Sequence, residues 1–359
     1  MTRPCPRTDG LQLSIADKDN SMPFNIALQF EDGVTRVIPC DANELVSEAA
    51  YRAKINIPLD CRDGACGTCK CHCESGTYTQ GVYIEDALTD EEADRGYVLT
   101  CQMKPTSDCV IKIPASSAAC KTEVASYATK VSKINRDSKT TVSFTIEADR
   151  PVSFLPGQYV NLGVPGTQET RAYSFSSAPN STELGFLIRD VPNGLMSTYM
   201  RSQANVGDTM SFTGPYGSFY LRPVERPVLM LAGGTGLAPF LSMLLWLKSN
   251  PTTHPIMLAY GVNTNDDLVE LDALNALKAA MPNLEFFTVI VDPASGHPKC
   301  GYVTDHLSAK DLHDGNVDVY VCGPPPMVEG VRKWMSGVGV TPNSFHFEKF
   351  SSSTAGAHE

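Results

Sequence analysis

The chain has 359 residues, 42% hydrophobic and 19% charged, which predicts two or three domains that each bury an ordinary core. A formal net charge of −11 speaks against nucleic acid and anionic membrane as partners and suits docking on a basic protein surface. Twelve cysteines in a chain of this length, behind an N-terminus with no apolar leader, favour metal ligation in the cytoplasm over a disulfide scaffold.

Residues 1–21 are polar and read as a disordered or added extension, with Met22 as the candidate start. The segment 22–115 opens with strand-like alternation in MPFNIALQFEDGVTRVIP, broken by the turn Asp32-Gly33. It then carries CRDGACGTC and LTCQM, so that Cys61, Cys66, Cys69 and Cys101 stand as C-x4-C-x2-C…C. That is the ligand spacing of a plant-type 2Fe–2S cluster, a one-electron carrier. A tight loop must bring three thiolates together, and a distant strand end must supply the fourth. Gly64 and Gly67 allow the backbone angles such a loop needs and leave N–H groups free to face the sulfurs. The competing reading is a zinc site completed by Cys71 and Cys73, although zinc sites ordinarily pair two C-x2-C knuckles and Cys66–Cys69 is a single one. Cys71 and Cys73 share a face if they lie on a strand. The favoured reading makes them buried thiols beside the cluster, and His72 an ordinary polar residue. A Rieske centre would need C-x-H pairs that the sequence lacks. The stretch PASSAACKTE has the composition of a linker.

The segment 123–223 contains short β-like runs (YATKVSKI, TVSFTIEA, GQYVNLGV, AYSFSSA, LGFLIRDV, DTMSFTGPYG) punctuated by Gly, Pro and Asn, which predicts an antiparallel β-barrel. Within it, Arg171-Ala172-Tyr173-Ser174 would place Arg171 and Tyr173 on one face of a strand and Ser174 on the other. An arginine can hold a pyrophosphate, a tyrosine can lie along a flavin ring and a serine hydroxyl can reach flavin N5. The same four residues also fit a purely structural strand. RDVPNGLMSTYM sets Asn193-Gly194 before a short helix whose first N–H groups suit a phosphate; the alternative is a turn into a core helix. Taken together the two elements favour a flavin.

The segment 224–350 alternates strands (PVLMLA, HPIMLAYGV, NLEFFTVIV, VDVYVCG, SFHFEKF) with helices (PFLSMLLWLKS, DDLVELDALNALKAA, PMVEGVRKWMSG), the pattern of a doubly wound parallel sheet. The uncharged run Pro227–Leu247 is long enough to span a membrane. GGTG and Pro239 interrupt it, and it reads as strand, glycine turn and helix. LMLAGGTGLAP, with Gly233, Gly234, Thr235 and Gly236, follows a strand and opens a helix, as a dinucleotide fingerprint does, with Pro239 where the third glycine belongs. YVCGPPPM sets Cys322, Gly323 and Pro324 at the carboxyl edge of the sheet, where nucleotides bind; a structural cysteine is the alternative. Asp266 and Asp267 follow the second strand. A carboxylate there would accept from ribose hydroxyls and repel a 2′-phosphate, favouring NADH over NADPH, with helix N-capping as the competing role. Residues 351–359 form a tail.

In this order, CRDGACGTC…C, RxYS, GGTGLAPF and CGPPPM resemble the reductase component of bacterial ring-hydroxylating dioxygenases of the benzoate/toluate/anthranilate 1,2-dioxygenase type, from Met22 to Phe350. The resemblance implies a multidomain protein: a β-grasp-like α+β ferredoxin domain fused to a ferredoxin–NADP reductase-like pair of β-barrel and doubly wound α/β domain. It implies FAD as the flavin, held by Arg171, Tyr173 and Ser174, with its pyrophosphate near Gly194, Met196 and Ser197. It also places Cys322 by the nicotinamide C4 and reads Glu348-Lys349-Phe350 as the family's Glu-x-aromatic ending, in which the aromatic covers the flavin. Ser174, Cys322 and Glu348 would then stand at the hydride-transfer centre. The implied enzyme is cytoplasmic and monomeric. NADH reduces its FAD, and single electrons pass through the 2Fe–2S cluster to a terminal Rieske oxygenase acting on an aromatic carboxylate. Two alternatives stand beside this reading: the reductase of a di-iron monooxygenase, and a stand-alone flavin reductase carrying a structural zinc module.

Overall fold

A computed structural model describes residues 22–59, 62–65, 67–120, 125–136 and 138–350. The sequence folds into three successive units, each around its own sheet.

The first unit contains β1 (Phe24–Phe30), β2 (Thr35–Cys40), α1 (Val46–Arg52), β3 (Lys70–Ser75), β4 (Tyr78–Gln80), α2 (Asp90–Asp94), β5 (Tyr97–Leu99), β6 (Met103–Pro105), β7 (Cys109–Ile113) and α3 (Ser117–Cys120). Its five-stranded sheet has the order β2-β1-β7-β3-β5. β1 and β7 run parallel, and the other pairs run antiparallel. Alternation in β1 sends Ile26, Leu28 and Phe30 inward, where Val46, Ala49 and Ala50 of α1 cover them. Cys71 and Cys73 enter this same core, together with Cys109 and Cys120. Cys69 and Cys101 instead pack in a small separate cluster with Ala87, Leu88 and Leu99.

The second unit contains β8 (Ala125–Asn135), β9 (Thr141–Val152), β10 (Tyr159–Gly163), β11 (Thr170–Ser174), β12 (Ser181–Arg189), α4 (Leu195–Ser202) and β13 (Thr209–Tyr216). The strand order is β11-β10-β13-β8-β9-β12, antiparallel throughout. The two end strands approach where Ser176 N–H donates to the Gly185 carbonyl at 2.8 Å, curling the sheet into a barrel. Phe144, Phe175, Phe186 and Phe212 fill the interior, and α4 closes it with Met196 and Met200.

The third unit contains β14 (Val228–Gly233), α5 (Leu237–Ser249), β15 (Ile256–Val262), α6 (Leu271–Ala280), β16 (Leu284–Ile290), β17 (Asp318–Gly323), α7 (Pro325–Val338) and β18 (Ser344–Lys349). All pairs are parallel, in the order β16-β15-β14-β17-β18. The uncharged run from Pro227 is β14, a short 3₁₀ turn at Gly234–Gly236, and α5. Among the described residues no helix is long and apolar enough to cross a membrane. The stretch PASSAACKTE, expected to be a linker, instead carries α3, and Ala115, Ala119 and Cys120 are buried in the core of the first unit because they are small and apolar. A second expectation also differs. The helix anticipated from Asp266 begins only at Leu271. A 3₁₀ turn occupies Asn265–Asp267, and Glu270 takes a left-handed φ of 60°, so the backbone reverses before α6 can start.

Arg222 ties the three units together. Its guanidinium donates to the Pro114 carbonyl at 3.1 Å and to Glu31 at 3.3 Å in the first unit. It donates to Ser218 and Tyr220 carbonyls at 2.7 and 2.8 Å in the second and stacks 3.7 Å above the Tyr220 ring. Its backbone N–H donates to the Tyr320 hydroxyl of the third, at 3.1 Å. The Tyr220 hydroxyl in turn accepts from Ser116 N–H at 2.7 Å.

Candidate functional site

Cys61 and Cys66 lie outside the described residues. The other two predicted ligands are brought together: Cys69 and Cys101 are buried, with their sulfurs 3.2 Å apart. They come from the end of the glycine-bearing loop and from the turn after β5. The mutual hydrogen bond, and then burial, raise the Cys69 thiol far above its ordinary value. Gly64 and Gly67 have φ of +83° and +74°. A Cβ on Gly64 would lie 2.5 Å from the Val82 carbonyl oxygen, and one on Gly67 would lie 3.2 Å from that of Ala87. Only glycine fits this loop without strain. Paired buried sulfurs at the end of a glycine-shaped loop suit a thiolate-ligated metal cluster.

In the barrel, Ser174 is buried at the end of β11, opposite Tyr159 of β10. Its hydroxyl donates to Glu348 at 3.2 Å. Glu348 is on β18 of the third unit, in register with Cys322 of β17. Three predicted residues from distant parts of the sequence therefore meet at one junction. Cys322 is fully buried, and burial, then the nearby Glu348 carboxylate, push its thiol well above the usual range. It is a neutral side chain at neutral pH. Tyr159 and Gly217, which the sequence reading missed, line the same junction: a Cβ on Gly217 would lie 2.9 Å from the Tyr159 ring. The signal was the glycine in GPYGS, which adopts φ +96° beside the tyrosine. Tyr173 is partly buried, and desolvation raises its hydroxyl above the usual value. Arg171 donates to Glu169 at 3.0 Å and to the Thr170 carbonyl at 2.7 Å. Gly194 is the N-cap of α4. Met196 points into the barrel core, and the Ser197 hydroxyl donates to the Val191 and Gly194 carbonyls. Gly194 gives the first-turn N–H groups of α4 no side-chain cap, and a helix N-terminus is the part of a helix that suits a phosphate.

The crevice at the carboxyl ends of β14 and β17 is shaped by backbone contact. A Cβ on Gly236 would sit 2.3 Å from the Cys322 carbonyl oxygen, and one on Gly233 would sit 2.5 Å from Met327 Sδ and 3.4 Å from Gly323 Cα. Gly234 has φ +55° and open space where its Cβ would be. Thr235 lies in the same 3₁₀ turn, and Pro324 caps α7 across the crevice. Pro239 is buried in the first turn of α5, where its missing N–H costs nothing. Phe350 packs against the core of this unit and donates its N–H to the Gly323 carbonyl at 2.8 Å.

Asp266 and Asp267 lie at the carboxyl end of β15, but both have protein partners. Asp267 accepts from the Thr264 N–H and hydroxyl, each at 2.9 Å. Burial alone would raise its carboxyl; hydrogen bonds from Thr140 and Thr264 outweigh that and hold it below the usual range. Asp266 pairs with Lys139 at 3.0 Å, and its carbonyl accepts from Ser138 at 2.7 Å and Thr140 at 3.2 Å. The capping role is therefore real for Asp267, while Asp266 fastens the third unit to the barrel.

Comparison with known proteins agrees with these three sheets. Residues 29–106 match the 2Fe-2S iron-sulfur cluster binding domain, residues 128–220 the oxidoreductase FAD-binding domain, and residues 230–333 the oxidoreductase NAD-binding domain. The chain is 51% identical to the toluate 1,2-dioxygenase electron transfer component of Pseudomonas putida, over 92% of this chain and 100% of that one. The chain belongs to the family of dioxygenase electron transfer components. The anthranilate 1,2-dioxygenase electron transfer component of Acinetobacter baylyi is 40% identical over 92% of this chain and 98% of its own. Among solved structures, the cytochrome P450 reductase GcoB of Amycolatopsis shares the fold with a TM-score of 0.69 and 28% identity, covering 92% of this chain and 100% of that one. An electron transfer component of this family carries FAD, a 2Fe–2S cluster and a nicotinamide site, and the glycine-shaped crevice, the paired sulfurs and the barrel junction fit all three.

Proposed function

We propose that this protein is the NADH-dependent reductase of a two-component Rieske dioxygenase that hydroxylates an aromatic carboxylate. The observation that carries the proposal is the Ser174–Glu348 hydrogen bond beside buried Cys322, which joins the barrel and the parallel sheet at one point. Bound FAD supplies two-electron chemistry and a bound 2Fe–2S cluster supplies one-electron chemistry, and both belong to the cofactors.

The chain contributes position and polarity. Gly233, Gly234, Thr235, Gly236, Gly323 and Pro324 let the nicotinamide nucleotide approach the backbone. Asp267 would keep the ribose end of the crevice anionic and disfavour a 2′-phosphate, with Asp266 beside it paired to Lys139. Arg171, Tyr173 and the N–H groups from Gly194 to Ser197 bind the flavin, and Phe350 shields it. Ser174 and Glu348 would hold a hydrogen-bonded proton beside the bound flavin and nicotinamide, and buried, neutral Cys322 would add no charge there. Cys61, Cys66, Cys69 and Cys101 hold the cluster. The domain limits 22–115, 123–223 and 224–350, a monomeric state and a cytoplasmic location belong to the same proposal.

Analysis of iron, acid-labile sulfide and flavin on the purified protein tests it. About two irons and two sulfides per FAD are expected; zinc without sulfide, or flavin bands alone in the absorption spectrum, overturns it.

A further inference from the structure

Beside the glycine-bearing loop of the first unit, the segment Gly81–Ala87 presents an apolar surface that the fold does not cover. Tyr83 turns inward, onto the small cluster that contains Cys69 and Cys101. Its neighbours Val82 and Ile84 turn outward and are 86% and 50% exposed. The segment is fastened directly to the loop: Ile84 N–H donates to the Gly64 carbonyl at 3.2 Å and Gly81 N–H to the Gln102 carbonyl at 2.8 Å. The Gln102 amide then donates to the Arg62 carbonyl at 3.2 Å. A Cβ on Gly64 would strike the Val82 carbonyl oxygen. Val82 and Ile84 are thus the solvent face of the wall whose inner face touches the cysteine pair.

We infer that Val82 and Ile84 form the contact through which the electron acceptor docks, and that the acceptor offers an apolar surface ringed by lysine or arginine over its own redox centre. The inference rests on the proposed reductase function and names the surface that function uses. Between Gly81 and Asp94 the sequence has six carboxylates and no lysine or arginine; Glu92 is paired with Lys70, and the exposed Glu85 and Asp86 that directly follow Ile84 give the apolar pair a negative border. Charge of one sign around a small apolar centre steers a partner of opposite sign and sets orientation without tight binding. Two exposed side chains are a small contact, in keeping with the small interfaces of transient redox complexes. Electrons leaving here cross a single layer of protein from the Cys69–Cys101 cluster.

The test is steady-state reduction of the purified oxygenase component of the Pseudomonas putida toluate 1,2-dioxygenase system by the whole protein and by its Val82→Ser/Ile84→Ser double variant. The variant should raise KM for the oxygenase about tenfold, with ferricyanide reduction and NADH-driven bleaching of the visible spectrum unchanged. Wild-type KM should rise with salt between about 0.05 and 0.5 M. An unchanged KM in the variant overturns the docking surface and leaves the reductase function standing. A wild-type dimer that the double variant dissolves also overturns it, because a second copy then covers the patch. Failure of the wild type to reduce the oxygenase at all overturns the function, and the docking surface with it.

Discussion

At the residue scale, Ser174, Glu348 and Cys322 meet at the junction of barrel and parallel sheet, the proposed hydride-transfer centre. Ser174→Ala removes the hydrogen bond to Glu348 at this junction. It should slow flavin reduction by NADH about fivefold, since one hydrogen bond contributes about 1 kcal/mol and a tenfold change in rate is about 1.4 kcal/mol. Stopped-flow measurement checks this, and an unchanged rate would remove Ser174 from the centre. NADPH should be the poorer donor if, as proposed, the carboxylate of Asp267, held below the usual range by its hydrogen bonds, borders the ribose end of the crevice. Equal turnover with both nucleotides would deny the aspartates that role. A different residue sets a pH dependence of stability. The His346 ring stands 4.8 Å from that of Tyr320, and burial, then Arg222, push its pKa down to about 3. Its folded pKa is below its unfolded value, so the unfolded chain binds the extra proton. Its contribution is complete above about pH 6.5 and is lost as pH falls toward 3, by up to about 1.4 kcal/mol per pH unit. Urea titrations between pH 7 and 5 should show His346→Gln to be less sensitive to acid than the wild type.

At the element scale, legibility from the sequence followed periodicity. Strands such as PVLMLA and VDVYVCG, and the helices PFLSMLLWLKS and PMVEGVRKWMSG, fall where alternation and breakers put them, because each buries its apolar face against immediate neighbours. The start of α6 was illegible: DDLVELDALNALKAA has helical spacing throughout, but Thr264 and Asp267 close a 3₁₀ turn first and Glu270 adopts left-handed φ. That choice depends on the barrel loop 138–140, which meets Asp266 only in three dimensions. Likewise RAYS announced Ser174 but not Glu348 as its partner, 174 residues away. Tyr159 and Gly217 carried no motif, since their place depends on the register of β10 against β11 and β13. Within β14 and its turn, the requirement for glycine is testable. Gly236→Ala drives a Cβ into the Cys322 carbonyl oxygen. It should cost about 1–3 kcal/mol of stability in denaturant titration and weaken NADH binding, whereas Gly330→Ala, on an open face of α7, should be neutral or slightly stabilising.

At the scale of the whole molecule, each unit carries one part: a crevice on the third, a junction between the third and the barrel, and a cysteine pair in the first. Arg222 holds all three in place through contacts to Glu31, Pro114, Tyr220 and Tyr320. Arg222→Ala should destabilise the protein by about 2–4 kcal/mol and lower electron delivery to the cluster more than flavin reduction, because the latter needs only the second and third units. Electrons are expected to leave through the cluster. Steady-state reduction of cytochrome c and of ferricyanide by the Cys101→Ser variant tests it most directly. Loss of cytochrome c reduction with ferricyanide reduction retained is the predicted result. Undiminished cytochrome c reduction would contradict it.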